Sequence, residues 1–276
     1  IMGTFSKSLA SIGGFIAADQ IINQVAKTRF VFGGQAKVPL VIRGQEGIGR
    51  GNGATHSQSL ETIFMHFPGL KVVCPSSANE AVGLFRTAVR DPNPVCFFEH
   101  KALYVTKGEV PEDPEFMIPF GKADIKRAGK DITILTIGAV LYRALDAAKI
   151  LEEKYGLSAE IIDARSIVPF NYGPVVESIK KTGRIVIVGD ACERNSVMRD
   201  MASTITELAF DYLDAPPVVV GSRNWITPCF ELDSKFFPQA DTIVDAICEK
   251  ILPLQGRVPN ANFTSIEKIE RCKKGV

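Results

Sequence analysis

The chain has 276 residues, of which 46% are hydrophobic and 23% charged, and a formal net charge of +1. That composition belongs to a folded globular protein with room for two domains, and it excludes a disordered segment. The near-neutral balance gives no electrostatic reason to expect nucleic acid or an anionic membrane. No apolar run is long enough to cross a bilayer.

The chain opens on Ile1-Met2 without the charged start and apolar block of a signal peptide, and it reads as the inside of something longer. Six cysteines are scattered without a CxxC pair, and Cys74 and Cys96 lie in apolar runs. This usage fits a reducing compartment better than a disulfide framework. The three histidines, His56, His66 and His100, show no metal-ligand spacing.

In chain order, VPLVIR (38–43) reads as a strand, followed by the glycine-rich stretch 44–56. Leu60, Ile63, Phe64 and Phe67 recur at the period of a helix, which predicts a helix over 57–67 stopped by Pro68-Gly69. LKVVC (70–74) reads as a strand. Ser77 with Glu80 three residues on has the spacing of a capping box, opening a helix that runs to about Arg90. VCFFE (95–99) is the next strand.

Residues 106–119 carry three prolines and no periodicity, as an extended linker between domains would. A second alternating series follows, with strands at 131–138, 159–163, 184–189 and 217–221 and helices at 139–155, 172–182, 197–213 and 241–252. Alternating strands and helices predict an α/β fold with two parallel sheets. The boundaries so read are 20–105, a linker at 106–119, a second domain over 120–252 and a polar tail over 253–276. Residues 1–19 stand apart as an atypical N-terminal segment.

The chemistry concentrates in the glycine-rich stretch. Gly44, Gly47, Gly49, Gly51 and Gly53 follow a strand, and parallel sheets bind ligands at the carboxyl ends of their strands. His56 closes the stretch. On spacing it is either the cap of the helix that follows or a site histidine. GDACERN (189–195) resembles in part the Gly-Asp…Asn motif that binds magnesium diphosphate in thiamine enzymes, but that motif has its Asn much further downstream than Asn195 stands from Asp190, so the segment reads as a strand-to-helix turn.

GNGATHSQSLE (51–61), HFPGLKVVCPSS (66–77) and RDPNPVCFFEHKALY (90–104) supply a further argument, as do DQIINQVAKTRFVFGGQAKVPLVIRG (19–44), FGKA (120–123) and LDAPP (213–217). In that order along the chain, they resemble the β subunits (E1β) of thiamine-diphosphate-dependent 2-oxoacid dehydrogenases. The resemblance implies a transketolase-like pyrimidine-binding domain followed by a transketolase C-terminal-like domain. It implies an α₂β₂ heterotetramer in which the E1α subunit holds Mg²⁺ and the diphosphate. It further implies oxidative decarboxylation of a 2-oxoacid, with the acyl group passed to a lipoyl group on the E2 acyltransferase. His56 takes the place of the family's histidine near the reacting end of the cofactor, where protons move near neutral pH. A potassium ion held by main-chain carbonyls is implied at Leu40, Ala88, Asp91 and Asn93. The compartment implied is the bacterial cytoplasm or the mitochondrial matrix.

The resemblance also marks departures. The family's glutamate for the aminopyrimidine ring lies upstream of Ile1, and Glu46 and Glu61 do not match its position. In the place of the family's aromatic pair stands GTFSKS, where Phe5 is the aromatic present. Residues 2–19 instead resemble the lysine segment of pyridoxal-phosphate α-oxoamine synthases, with Lys7 at the Schiff-base position, but nothing else here supplies that enzyme's pocket. Two alternatives to an active E1β follow: a fragment of a pyridoxal-phosphate synthase, and a catalytically inactive E1β scaffold that keeps its subunit contacts.

Overall fold

The computed structural model describes residues 19–47 and 51–260. Two compact units divide it. The first takes the residues up to Ala123 together with Ala164–Asn171, and the second takes Asp124–Asp163 and everything from Tyr172 on.

The first unit is built on a four-stranded sheet, in the order β1-β3-β2-β7. Strands β1 (Val41–Glu46), β2 (Lys71–Val73) and β3 (Val95–His100) are parallel, with Glu46 in register with His100 at the carboxyl end. Helix α1 (Glu61–Met65) follows the glycine-rich stretch, and α2 (Ala78–Arg90) connects β2 to β3.

The two faces of this sheet are covered by different elements. On one, Leu84 and Ala88 of α2 close over Val73, Val95 and Phe97. On the other, Phe64 of α1 tilts against Phe98 with ring centroids 5.3 Å apart. Phe97 and Phe98 are almost wholly buried. Removing each ring from water contributes roughly 1.5–3 kcal/mol, which is why α1, though short, is held in place.

The second unit carries a five-stranded sheet, β4-β6-β5-β8-β9. Strands β5 (Ile132–Thr136), β6 (Ala159–Asp163), β8 (Ile185–Cys192) and β9 (Val218–Ser222) are parallel. Helices α3 (Val140–Tyr155), α4 (Gly173–Thr182), α5 (Val197–Ala209) and α6 (Ala240–Lys250) connect and cover them. Ile132, Ile134, Ile161, Val186 and Val188 meet Ala144, Ala148 and Leu151 of α3 in one core. Strands buried on both faces read as continuous apolar runs, and these do.

Four expectations need correction. The sheets are mixed, because β7 (Ser166–Val168) joins β2 antiparallel and β4 (Asp124–Arg127) joins β6 antiparallel. The stretch 106–119 is not a free linker in space. Its backbone is pinned to α2: Ile118 N donates to the Gly83 carbonyl at 3.1 Å, Thr87 Oγ1 to the Ile118 carbonyl at 2.7 Å, and Arg86 Nη1 to the Asp113 carbonyl at 2.8 Å. The chain changes units at Ala123/Asp124 instead.

The helix expected over 57–67 begins only at Glu61. The capping box at Ser77 does not close either. Glu80 accepts from the Ser76 backbone (3.0 Å) and hydroxyl (2.8 Å), and it faces Arg165 at 3.7 Å. Both members of that ion pair are buried, and Arg165 also donates to the Lys122 carbonyl at 2.6 Å. A buried Glu80 is more useful neutralising a buried guanidinium than capping a helix, because an unpaired buried charge costs several kcal/mol.

Candidate functional site at the carboxyl edge of the first sheet

The chain leaves β1 at Glu46 and re-enters regular structure at Glu61. The backbone closes on itself just inside those points, where Gly47 N donates to the Gln58 carbonyl at 3.1 Å. Gly47 has a φ of 70°, and a Cβ there would lie 2.1 Å from Nε2 of the buried His100. Only glycine meets both conditions. His100 is itself fixed, since its Nδ1 accepts the Ala102 N–H at 3.2 Å.

The far part of the loop is open. Gly51 and Gly53 have φ of 60° and 65°, and His56 is exposed to solvent. The Thr55 hydroxyl meets His56 Nδ1 at 2.8 Å. His56 does not cap α1, because the helix starts five residues further on and its N-cap position is Leu60. The capping reading of this histidine is therefore not met.

The acids of the same edge are engaged with one another. Glu46 and Glu61 are both buried. Burial, and then the neighbouring charge of Glu61, push the Glu46 carboxyl well above the usual carboxylate range. Glu99 is held by a bidentate contact from Arg43 Nη2 at 2.7 Å and by the Tyr104 hydroxyl at 2.9 Å. Burial and then Glu99 push the Tyr104 hydroxyl up to about 12.

Leu40, Ala88, Asp91 and Asn93 gather at the opposite, amino edge of the sheet. The Leu40 carbonyl accepts Val95 N at 2.9 Å, and the Ala88 carbonyl accepts Asp91 N at 3.2 Å. The Asp91 carboxylate holds Asn93 N at 2.9 Å and pairs with Lys71. Among the described residues no group of histidine, cysteine or carboxylate side chains is arranged to hold a metal ion. Phe5 and Lys7 lie outside the described residues.

In the second unit β8 runs through Asp190 to Cys192. The turn that follows puts Asn195 at a φ of 52°, and Ser196 caps α5 by accepting Arg199 N at 3.3 Å. GDACERN is therefore a strand-to-helix turn. The sequence reading missed the Glu46–Glu61 pairing; the one signal for it was a pair of acids flanking a glycine stretch between apolar elements.

The family model of the transketolase pyrimidine-binding domain matches residues 2–107, and that of the transketolase C-terminal domain matches 121–243. The first match takes in the segment 2–19. The β subunit of an acetoin:2,6-dichlorophenolindophenol oxidoreductase from Cupriavidus necator is 47% identical over 232 residues, spanning 84% of this chain and 68% of that one.

The chain belongs to the E1β family.

A pyruvate dehydrogenase E1 component subunit beta from Rhizobium meliloti is 43% identical over the same share of this chain, which spans 50% of its length. Among solved structures, a split-gene transketolase described as an inactive β₄ tetramer superposes with a TM-score of 0.69 at 23% identity. The match covers 90% of this chain and 74% of that one, and it supports the fold. The two transketolase domain models end at 107 and begin at 121, whereas the compact units divide at Ala123/Asp124.

Proposed function

We propose that the chain serves as the β subunit of a thiamine-diphosphate-dependent 2-oxoacid dehydrogenase and that His56 handles protons at its active site. The observation that carries this reading is the exposed His56, presented on a glycine loop at the carboxyl edge of a parallel sheet, in a chain 47% identical to an oxidoreductase β subunit.

Thiamine diphosphate, when bound, supplies the carbanion that attacks a 2-oxoacid. The described residues fit one part of that task. His56 is exposed on the loop, where an imidazole is the side chain suited to proton transfer, and among the described residues nothing lies within 4 Å of a Cβ built at Gly53. They do not supply the acid for the pyrimidine ring, because Glu46 and Glu61 are buried and Glu99 is held by Arg43. That acid, and the groups for Mg²⁺ and the diphosphate, have to come from the rest of the β subunit and from an E1α partner in an α₂β₂ assembly. The acyl acceptor is then the lipoyl group of E2. Potassium at the carbonyls of Leu40, Ala88, Asp91 and Asn93 and a cytoplasmic or matrix location belong to the same proposal.

The test uses the complete β subunit reconstituted with E1α, with 2-oxoacid-dependent reduction of an artificial electron acceptor as the readout. His56→Ala should lower turnover by roughly two to four powers of ten with no change in melting temperature. Full turnover in that variant would refute the assignment. A visible aldimine band on adding pyridoxal phosphate to the isolated chain would point to the synthase reading instead.

A further inference from the structure

The stretch from Pro253 on reads from the sequence as a polar tail, yet its described part, up to Asn260, is fastened to α6. It lies beyond the residues 121–243 that the C-terminal domain model matches. The arm is shaped by a turn. Arg257 N donates to the Leu254 carbonyl at 3.0 Å, and Gly256, the third residue of that turn, has a φ of 76°, a value glycine adopts without strain. The turn sends two side chains onto the domain. Leu254 is 5% exposed and joins the core cluster that contains Ile243, Val244 and Ile247 of α6. Arg257 meets the same helix. Its Nε donates to Asp245 Oδ1 at 2.6 Å, and its Nη2 donates to the Asp241 carbonyl at 3.1 Å and carboxylate at 2.9 Å.

Asp245 shows what the arm does. The other buried residues of α6 are apolar, and the Asp245 side chain is only 3% exposed. Among the described residues, both groups that donate to its carboxylate come from the arm: the Arg257 guanidinium and the Asn260 N–H, at 3.2 Å. A carboxylate stays buried only with such partners. The arm therefore buries a leucine and pairs a buried charge in one movement.

We propose that residues 251–260 are a latch closed within their own chain: Asp241 and Asp245 form a binding site for a guanidinium group, and Arg257 occupies it to hold the arm on α6. The chemistry of the site selects guanidinium over ammonium. One planar group spans two carboxylates and a carbonyl through separate N–H bonds, a reach that a compact ammonium lacks. With the latch open, the seat of Leu254 and the two carboxylates become one groove, apolar in one part and acidic in the other. The inference concerns the second unit and does not depend on the reaction proposed for His56.

Hydrogen exchange of the full 276-residue chain, read by mass spectrometry on peptides covering 251–260, tests it. Arg257→Ala should speed exchange there by roughly tenfold or more, as loss of a charge-assisted hydrogen bond predicts, with peptides from β8 unchanged. N-ethylguanidinium at millimolar concentration, the effective concentration that a short tether supplies, should slow that exchange again. Ethylammonium at the same ionic strength should not. If the alanine variant fails to fold by circular dichroism, Arg257→Lys takes its place and should speed the same peptides while leaving β8 unchanged. Unaltered exchange over 251–260 in a folded variant overturns the latch. So does an equal rise in β8, which would make Arg257 a support of the whole unit. Rescue of the alanine variant by neither cation, or by both alike, overturns the guanidinium site. Wild-type exchange over 251–260 that slows as protein concentration rises would seat the arm on a second copy and overturn closure within the chain.

Discussion

Replacing Gly47 by alanine isolates what fixes the base of the glycine loop. Two penalties act on the new methyl. With φ at 70° an L-residue carries about 1–2 kcal/mol of backbone strain. The methyl would also lie 2.1 Å from His100 Nε2, and His100 cannot swing aside without losing the Ala102 amide. Overpacking of that kind costs about 1–3 kcal/mol more, for a total of about 2–5 kcal/mol.

Gly53→Ala is the internal standard. Its φ is 65°, but no atom among the described residues lies within 4 Å of the added methyl, so only the strain of about 1–2 kcal/mol remains. Denaturant unfolding followed by far-ultraviolet circular dichroism measures both, and a double-mutant cycle assigns the difference. In a His100→Ala background, Gly47→Ala should cost no more than Gly53→Ala does, giving a coupling energy of about 1–3 kcal/mol. If Gly47→Ala is as mild as Gly53→Ala in the wild-type background, or if His100→Ala leaves its cost unchanged, then His100 does not fix the loop base and the steric argument is wrong.

Removing one side of the buried Glu80–Arg165 pair, as in Arg165→Met, should destabilise the chain by roughly 3–5 kcal/mol in the same unfolding assay, since it takes away the guanidinium that faces the buried carboxylate. The Asp91 carboxyl is pushed up by burial but pulled down further by Lys71 and the Asn93 amides, and it ends below its ordinary value. Its stabilising contribution is therefore present above about 3.9 and lost as pH falls through the lower folded value. Unfolding between pH 2 and 5 should show that acid-side loss in the wild type and a smaller one in Lys71→Met. Burial lifts the Cys96 thiol to about 12, so an aromatic disulfide reagent at pH 8 should label exposed Cys229 quickly and Cys96 only after unfolding.

The parallel cores were legible because strands covered on both faces carry uninterrupted apolar runs. β3, β5, β6, β8 and β9 were found that way, within a few residues of their ends. The antiparallel additions were not legible. β4 is the polar sequence DIKR on a sheet edge, and β7 has three residues after Arg165, which takes a φ of 57°. Neither is long enough to show a period.

Helix α1 was read too long because Leu60, Ile63, Phe64 and Phe67 do share a face, while nothing in Ser57-Gln58-Ser59 signals that the turn persists. The prolines of 106–119 were read correctly as aperiodic. What the composition hid was that Phe116 and Ile118 would anchor the stretch on α2. At the candidate site, the glycine loop was legible from its five glycines after a strand. The coupling of buried Glu46 and Glu61 was not legible, because residues so far apart in sequence come together only once α1 has packed on the sheet.

Strand β7 bears on the order in which this chain can mature during synthesis. When the chain up to Ala123 has emerged from a ribosome, β1, β2 and β3 are available, but the strand that completes their sheet is still untranslated. The flank of β2 that β7 will occupy is then a row of unpaired N–H and C=O groups, the kind of edge that recruits a neighbouring chain. The first unit closes only after residue 171 has been delivered, by which point β4, β5, β6 and α3 of the second unit have already been made. The first unit is thus the earlier of the two to be exposed but can close only after part of the second has been made, and its vulnerable interval is set by the time taken to translate the intervening segment.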